Sequence, residues 1–276
     1  MIIGFLGKGG SGKSTLSTHF TKYLAQKKYM VLAIDGDHNM DMSYLLGNKN
    51  SSTPYLGNGL GDLLEYKNKK YAHYSDMLFD DERPQFSIHP KDAFTKKYSV
   101  KISRGIDLMI GGPHTDNVKF GQSCSHVLTT PLKSYLPLVK FSKKQAIVLD
   151  EKAGSDGAGT GIATGLTLAI ICVEPTPQSI KAAKQIAELL TFFGTPYEYI
   201  VNKYKKNSPL NGLDKKPLAL IPFSEQATSK KFTGAKKAFS TIEKRALNEE
   251  QKDTEARFKR SKQKFERNKS FKNTNS

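Results

Sequence analysis

Cysteine is scarce in this chain. Cys124 and Cys172 are the two in 276 residues, too few and too far apart for a disulfide framework. That scarcity sets the expectation of a reduced, cytoplasmic location. Cys172, inside the run LAIICVE, reads as a small core hydrophobe. Long hydrophobic runs are missing too. No stretch reaches the roughly 18 apolar residues of a membrane-spanning helix, and the candidate at 166–173 has the length of a strand. The apolar residues 1–6 have no basic region before them and run directly into a glycine-rich turn, so they are not read as a signal peptide. No internal repeat is present. Acidic residues are in short supply: 26 Asp and Glu stand against 43 Lys and Arg, a formal net charge of +17. Residues 230–276 alone carry 15 basic and 6 acidic residues. Such a segment suits an anionic partner (nucleic acid, acidic lipid or an acidic protein), and a merely solvated tail would look the same.

What the chain does contain is glycine in one informative place. Gly7, Lys8, Gly9, Gly10, Ser11, Gly12, Lys13, Ser14 and Thr15 fit G-x-x-x-x-G-K-[ST], a phosphate-binding loop. Glycines let the backbone curl so that successive N–H groups face phosphate oxygens. Lys13 would reach the β- and γ-phosphates, and the Ser14 hydroxyl would ligate Mg2+. The apolar run before the loop predicts a buried strand, and 13–28 predicts a helix, whose N-terminus favours an anion.

With Lys8 included, the loop reads K-G-G-x-G-K-[ST]. This resembles the deviant Walker-A ATPases: the ParA and MinD proteins, nitrogenase iron protein, the arsenite and tail-anchored-protein ATPases, and the CooC nickel-insertion ATPases. The resemblance implies an α/β fold of the P-loop NTPase type, with a mostly parallel central sheet flanked by helices on both faces. It implies ATP and Mg2+ as ligands, ATP hydrolysis, and an ATP-dependent homodimer. In that family the early lysine crosses to the partner's nucleotide, so Lys8 would act as an arginine finger does, a device worth roughly 10³–10⁵ in rate in other phosphoryl-transfer enzymes.

The resemblance continues along the chain. MVLAID at 30–35 predicts a second strand, ending in Asp35-Gly36-Asp37-His38. Acidic residues at the carboxyl end of a parallel strand lie where open α/β sheets bind ligands. Asp37 matches the family's first-switch acid, which polarises the attacking water or engages Mg2+, and His38 replaces the usual proline. QAIVLD at 145–150 predicts the strand leading to the second switch. There Asp150 matches the aspartate that reaches Mg2+ through water, and Gly154 would offer its N–H to the γ-phosphate. Lys152 and Thr160 depart from the CooC-like pattern, which leaves the second switch chemically altered and rich in glycine.

Further on, Glu174-Pro175-Thr176 resembles a family turn that caps the next helix, expected at 178–193 with Ile180, Ala183, Ile186, Ala187 and Leu190 on one face. Asn202-Lys203 falls at the family's base-recognition position. Lys205 stands where a guanine motif needs aspartate, so adenine is expected. IPFSE at 221–225 matches the loop that flanks the base, which adds Pro222 to the nucleotide contacts. In CooC-type proteins a C-x-C pair holds a metal between subunits. Here Gln122 occupies the first place and Cys124 the second, so a dimer offers at most two thiolates. Cys124-x-His126 across a two-fold axis would supply an S2N2 set for Zn2+ or Ni2+; a lone cysteine beside a surface histidine is the plainer alternative.

The expected organisation is an ATPase domain over 1–247 and a basic C-terminal segment over 248–276, an exposed helix or disordered. Residues 67–100 read as a variable surface insertion. Three functions remain open on the residues. The first is a nucleotide-switched homodimer resembling the CooC-type maturation ATPases and serving an unknown client protein. The second is a ParA-like partition or positioning ATPase that coats DNA through the basic segment. The third is an ATP-binding scaffold with little hydrolysis.

Overall fold

The structure, a computed structural model, describes residues 1–50, 54–113, 120, 128–206, 208, 210–223 and 235–274, with the backbone alone at 156 and 268–274. Among the described residues, eight strands form the central sheet. They are β1 (Ile2–Gly7), β2 (Met30–Asp35), β3 (Ser99–Ser103), β4 (Ile106–Ile110), β5 (Gln145–Asp150), β6 (Leu168–Val173), β7 (Tyr197–Tyr204) and β8 (Ala219–Pro222). Their order across the sheet is β8-β7-β6-β1-β5-β2-β4-β3. Every pairing is parallel except that of the edge strand β3 with β4. This is the expected mostly parallel α/β sheet.

Parallel strands covered on both faces read as continuous apolar runs rather than alternating ones, and IIGFL, VLAI, AIVL and LAIICV do so. Alternate residues supply two separate cores. Ile3, Phe5, Val31, Ala33, Val148 and Ile170 face one side. That side is covered by α1 (Lys13–Gln26), by α2 (Asp41–Leu46) and, in the last part of the chain, by helix Lys236–Lys252. Phe20 of α1 packs between Phe5 and Phe239, with ring centroids at 5.8 and 5.6 Å. Each such fully buried side chain contributes about 1.5–3 kcal/mol.

Ile2, Leu6, Leu32, Ile34, Leu149 and Ile171 face the other side, against α3 (Leu132–Leu138) and α4 (Pro177–Phe192). In α4 the five residues placed on one face by their spacing are all buried. Thr176 caps it, its Oγ1 accepting from the Ser179 N–H at 3.3 Å.

The insertion between α2 and β3 has structure that its weak periodicity concealed. A tight hairpin pairs 65–66 with 69–70, a short strand Phe86–Ser87 pairs with Val139–Lys140, and a helix covers Ala93–Tyr98. Leu63, Met77, Leu78, Phe86 and Phe94 are buried in the same core as α3, where Phe86 and Phe94 pack on Tyr135 with ring centroids at 5.0 and 5.5 Å. Its apolar residues are contributed one or two at a time by short elements, so no helical or strand period develops.

The C-terminal segment also differs from expectation. Helix α5 (Lys236–Lys252) runs past residue 248, and α6 (Ala256–Thr274) follows it. The first half of α6 is docked rather than exposed: Arg257, Ser261 and Phe265 are buried. Arg257 Nη1 donates to the Leu136 carbonyl at 3.0 Å, Arg260 donates to the carbonyls of Thr164 and Leu166, and Ser261 Oγ lies 2.8 Å from Thr164 Oγ1. Composition argues for exposure, because three large apolar residues, Phe258, Phe265 and Phe271, bury little surface. The aliphatic stems and hydrogen-bonding heads of the arginines supply the missing contact. Among the described residues no helix is long and apolar enough to cross a membrane.

Candidate functional site

The carboxyl ends of β1, β5, β2 and β6 converge on the glycine-rich loop, at the place where the chain crosses from one side of β1 to the other. Ligands bind in such a crevice in open α/β sheets. Two glycines there cannot be replaced cheaply. Gly7 has φ 146°, and a Cβ on it would lie 2.4 Å from the Cys172 carbonyl oxygen of β6. Gly12 has φ 89°, and its Cβ would lie 2.2 Å from Asn202 Nδ2. The loop is therefore pressed between neighbouring strands while its backbone turns through the left-handed region. Ser11 N–H closes a turn onto the Lys8 carbonyl at 3.2 Å, and α1 begins with Leu16 N–H on the Gly12 carbonyl at 2.9 Å.

The two lysines of the loop face different surroundings. Lys13 is buried, with 5% of its surface exposed. Lys8, Gly9 and Gly10 are exposed. Ser11 Oγ is buried without a hydrogen-bond partner.

Acidic residues line the crevice beside the loop. Asp35 and Asp150 are register partners at the ends of β2 and β5, and both are fully buried. Asp35 Oδ2 accepts from the Ser43 N–H in α2 at 2.7 Å. Burial, and next the charge of Asp150, raise Asp35 well above the usual carboxylate range. Both carboxylate oxygens of Asp150 lack a hydrogen-bond partner. Burial pushes Asp150 up to about 7, while Ser14 and the charge of Lys13 pull it back. Asp37 is buried, and its Oδ1 accepts from the Asn39 N–H at 3.2 Å and lies 3.2 Å from His38 Nδ1.

Glu151, which no sequence motif singles out, is also buried. Burial pushes it up to about 7. Its Oε1 accepts from the Lys152 N–H at 3.1 Å, and a Cβ on Gly157 would sit 2.2 Å from its Cγ.

The other site residues lie around this centre. Gly154, at φ 95°, donates its N–H to the Gly7 carbonyl at 3.0 Å. Asn202 Nδ2 donates to the Ser11 carbonyl at 3.0 Å, and Lys203 Nζ donates to the Gly10 carbonyl at 2.8 Å. Lys203 also pairs with Glu174, a residue the sequence placed only in a turn. Pro222 is exposed at the end of β8, in register with Tyr204. Thr15 and Ser14 are partly buried at the start of α1.

Cys124, Gln122 and His126 lie outside the described residues, as do Ser224 and Glu225. Cys172 is buried in β6 with its thiol pushed up to about 12 by burial, so it is no thiolate ligand. Among the described residues no group of three or more His, Cys, Asp or Glu is placed to hold a metal ion. The hard oxygens available are Ser14 and the unpartnered Asp150 carboxylate. They suit Mg2+, which is bound through one or two protein oxygens together with phosphates and water.

Comparison with known proteins agrees with this geometry. Residues 2–228 match CbiA, the CobQ/CobB/MinD/ParA nucleotide binding domain. An uncharacterised ATP-binding protein of Methanocaldococcus jannaschii is 31% identical over 233 residues, covering 82% of this chain and 89% of that one. The carbon monoxide dehydrogenase accessory protein CooC of Rhodospirillum rubrum is 27% identical over 197 residues, 70% of each chain. Among solved structures, the septum site-determining protein MinD of Pyrococcus horikoshii, complexed with Mg-ADP, superposes with a TM-score of 0.57. It shares 17% identity and covers 96% of this chain and 95% of that one, a likeness of fold. The protein belongs to the CobQ/CobB/MinD/ParA family of nucleotide-binding P-loop domains.

Proposed function

We propose that this protein is an ATP-hydrolysing homodimer switched by its nucleotide, of the kind that serves metalloenzyme maturation. The observation that carries the reading is the split between the two loop lysines: Lys13 is buried in its own loop, and Lys8 is exposed on the same turn. Lys13 neutralises the β- and γ-phosphates of the nucleotide held by its own chain, and the backbone from Gly7 to Thr15 wraps them. Ser14 and Asp150 hold Mg2+, which supplies charge neutralisation at the phosphates when bound. Asp37 orients the attacking water. A γ-phosphate competes with the Gly7 carbonyl for the Gly154 N–H, and this exchange couples the second switch to the state of the nucleotide. Lys8 reaches the nucleotide of the second subunit. Asn202 and Pro222 border the base.

The maturation role draws on likeness to CooC, and an interfacial Zn2+ or Ni2+ rests on Cys124 alone. The DNA-coating alternative draws on the basic C-terminal segment. There Arg257, Lys259 and Arg260 already hold partners within their own chain, so DNA contact through them requires their displacement.

The test is light scattering, elemental analysis and ATP turnover, with and without a non-hydrolysable ATP analogue. Lys13→Ala is expected to weaken nucleotide binding by roughly 100-fold, the loss of a charge-assisted contact worth about 3 kcal/mol. Lys8→Ala is expected to keep nucleotide affinity and lose the turnover that depends on dimer formation. Normal turnover in Lys8→Ala would remove the trans-lysine role. A dimer holding about one transition metal per two chains supports the maturation client.

A further inference from the structure

The sequence points to Asn202-Lys203 as readers of the base. The geometry places the Lys203 head elsewhere, on the phosphate loop. The Gly10–Ser11 peptide is held from both sides: its N–H closes onto the Lys8 carbonyl at 3.2 Å, and its carbonyl accepts from Lys203 Nζ at 2.8 Å. The same Nζ pairs with Glu174. Glu174 is fixed in turn, its N–H donating to Ser179 Oγ at 2.9 Å beside the cap of α4. Lys203, Glu174 and the loop thus join the carboxyl ends of three adjacent strands, β7, β6 and β1.

The backbone is bent to make this possible. The pairing of β7 with β8 shifts register between Val201 and Tyr204, and Lys203 has φ 55°. A bulge of this kind re-aims a side chain, and a lysine in the left-handed region persists only where its surroundings hold it there. Nothing in the regular strand would send Lys203 to the Gly10 carbonyl.

We infer that Lys203, anchored by Glu174, is a positioning residue that fixes the Lys8–Ser11 turn and so sets where the exposed Lys8 points. This rests on the proposed trans role of Lys8. The clamp acts on the turn that carries Lys8, while Lys13 and the cap of α1 are held separately by the Gly12 carbonyl and by burial.

The experiment compares Lys203→Met, Lys203→Arg and Glu174→Gln with the full-length protein. It reads kcat and KM for ATP, the affinity for ADP, and hydrogen exchange of the 7–14 backbone without nucleotide. Lys203→Met is expected to lower kcat roughly tenfold or more, the loss of one charge-assisted hydrogen bond. It should also speed exchange of the loop amides while KM and ADP affinity change less. Lys203→Arg, which keeps a donor and a charge, should restore both kcat and protection. Glu174→Gln should shift both readouts in the direction of Lys203→Met. A rise in KM and a loss of ADP affinity with kcat and loop protection unchanged would assign Lys203 to the base and overturn the inference. So would Glu174→Gln behaving as the unmodified protein. If the unmodified protein shows no turnover, the proposed function fails, and loop exchange alone still decides whether Lys203 holds the turn.

Discussion

Two regions of the molecule bury carboxylates, and they treat them in opposite ways. At the end of the sheet away from the loop, Glu243 of α5 is buried with a full set of donors. Tyr23 and Lys27 donate to Oε2 at 2.8 and 2.7 Å, and Tyr29 donates to Oε1 at 3.1 Å. At the loop, Asp150 is buried with neither oxygen bonded, and Glu151 has one oxygen free. Burial raises both kinds of carboxyl. The three donors overcome it at Glu243 and leave that group below its usual range, whereas Asp150 rises to about 7. A buried polar group without partners costs about 1–3 kcal/mol. The Glu243 cluster is a structural joint between α1, β2 and α5. On the proposed reading, the Asp150 corner is an arrangement whose cost is offset when a cation and phosphates arrive.

The larger effect should come from breaking the satisfied cluster. Glu243→Leu removes the acceptor for two tyrosine hydroxyls, both on buried residues, and for Lys27. It is expected to destabilise the protein by about 3 kcal/mol, read as a lowered midpoint in urea unfolding. Lys27 is half-exposed, so its share of that loss is small. An unchanged midpoint would mean that the three donors find water as readily as they find Glu243.

The same operation at the other carboxylate should have the opposite sign. Asp150→Asn removes a charge that no hydrogen bond satisfies and that Lys13 offsets only in part, and it is expected to raise stability without nucleotide by about 2 kcal/mol. The added stability that Mg-ATP confers should be largely lost in the same variant. Sites built for function are commonly stabilised by neutral substitutions of this kind. If Asp150→Asn destabilises the nucleotide-free protein instead, the corner is held together by Asp150 and the contrast with Glu243 disappears.

The sheet was legible because its strands are uniform: VLAI and AIVL can be little else when flanked by turns and helices. The phosphate loop was legible for the same local reason, since its spacing is a property of consecutive residues. Contacts between distant residues were not. Glu174 gave no sign that it would meet Lys203, because the bulge that turns Lys203 arises from the pairing of β7 with β8 and not from its own neighbours. The docking of α6 was hidden likewise. Arg257 and Arg260 look like solvated charges in sequence, and only the backbone carbonyls of 136, 164 and 166 make the first a buried donor and the second a half-buried one. The insertion was unreadable because each of its short elements buries one or two residues and relies on α3 to complete the layer. Glu151 is unmarked in sequence because nothing there shows that Gly157 lies over it.

The smallest effect lies in how these differences depend on pH, and it separates the two carboxylates most cleanly. A carboxyl raised in the folded state binds more protons there than in the unfolded chain, so its charge destabilises above its folded value and ceases to matter as it protonates. The stability gained by Asp150→Asn should therefore be full above about pH 7 and fade as pH falls toward about 4. Glu243 is lowered in the folded state, so its contribution is present above its unfolded value near 4.5 and is lost as pH falls below it. The deficit of Glu243→Leu should stay constant from pH 8 to 6 and shrink only in acid. Near pH 6 a change of about 1 kcal/mol should thus appear in the Asp150→Asn difference alone. Urea titrations of the three proteins at pH 8, 6 and 4.5 read this directly. If the two differences move together, the two carboxylates share one environment electrostatically, and the unpaired corner owes its character to net charge rather than to the absence of donors around Asp150.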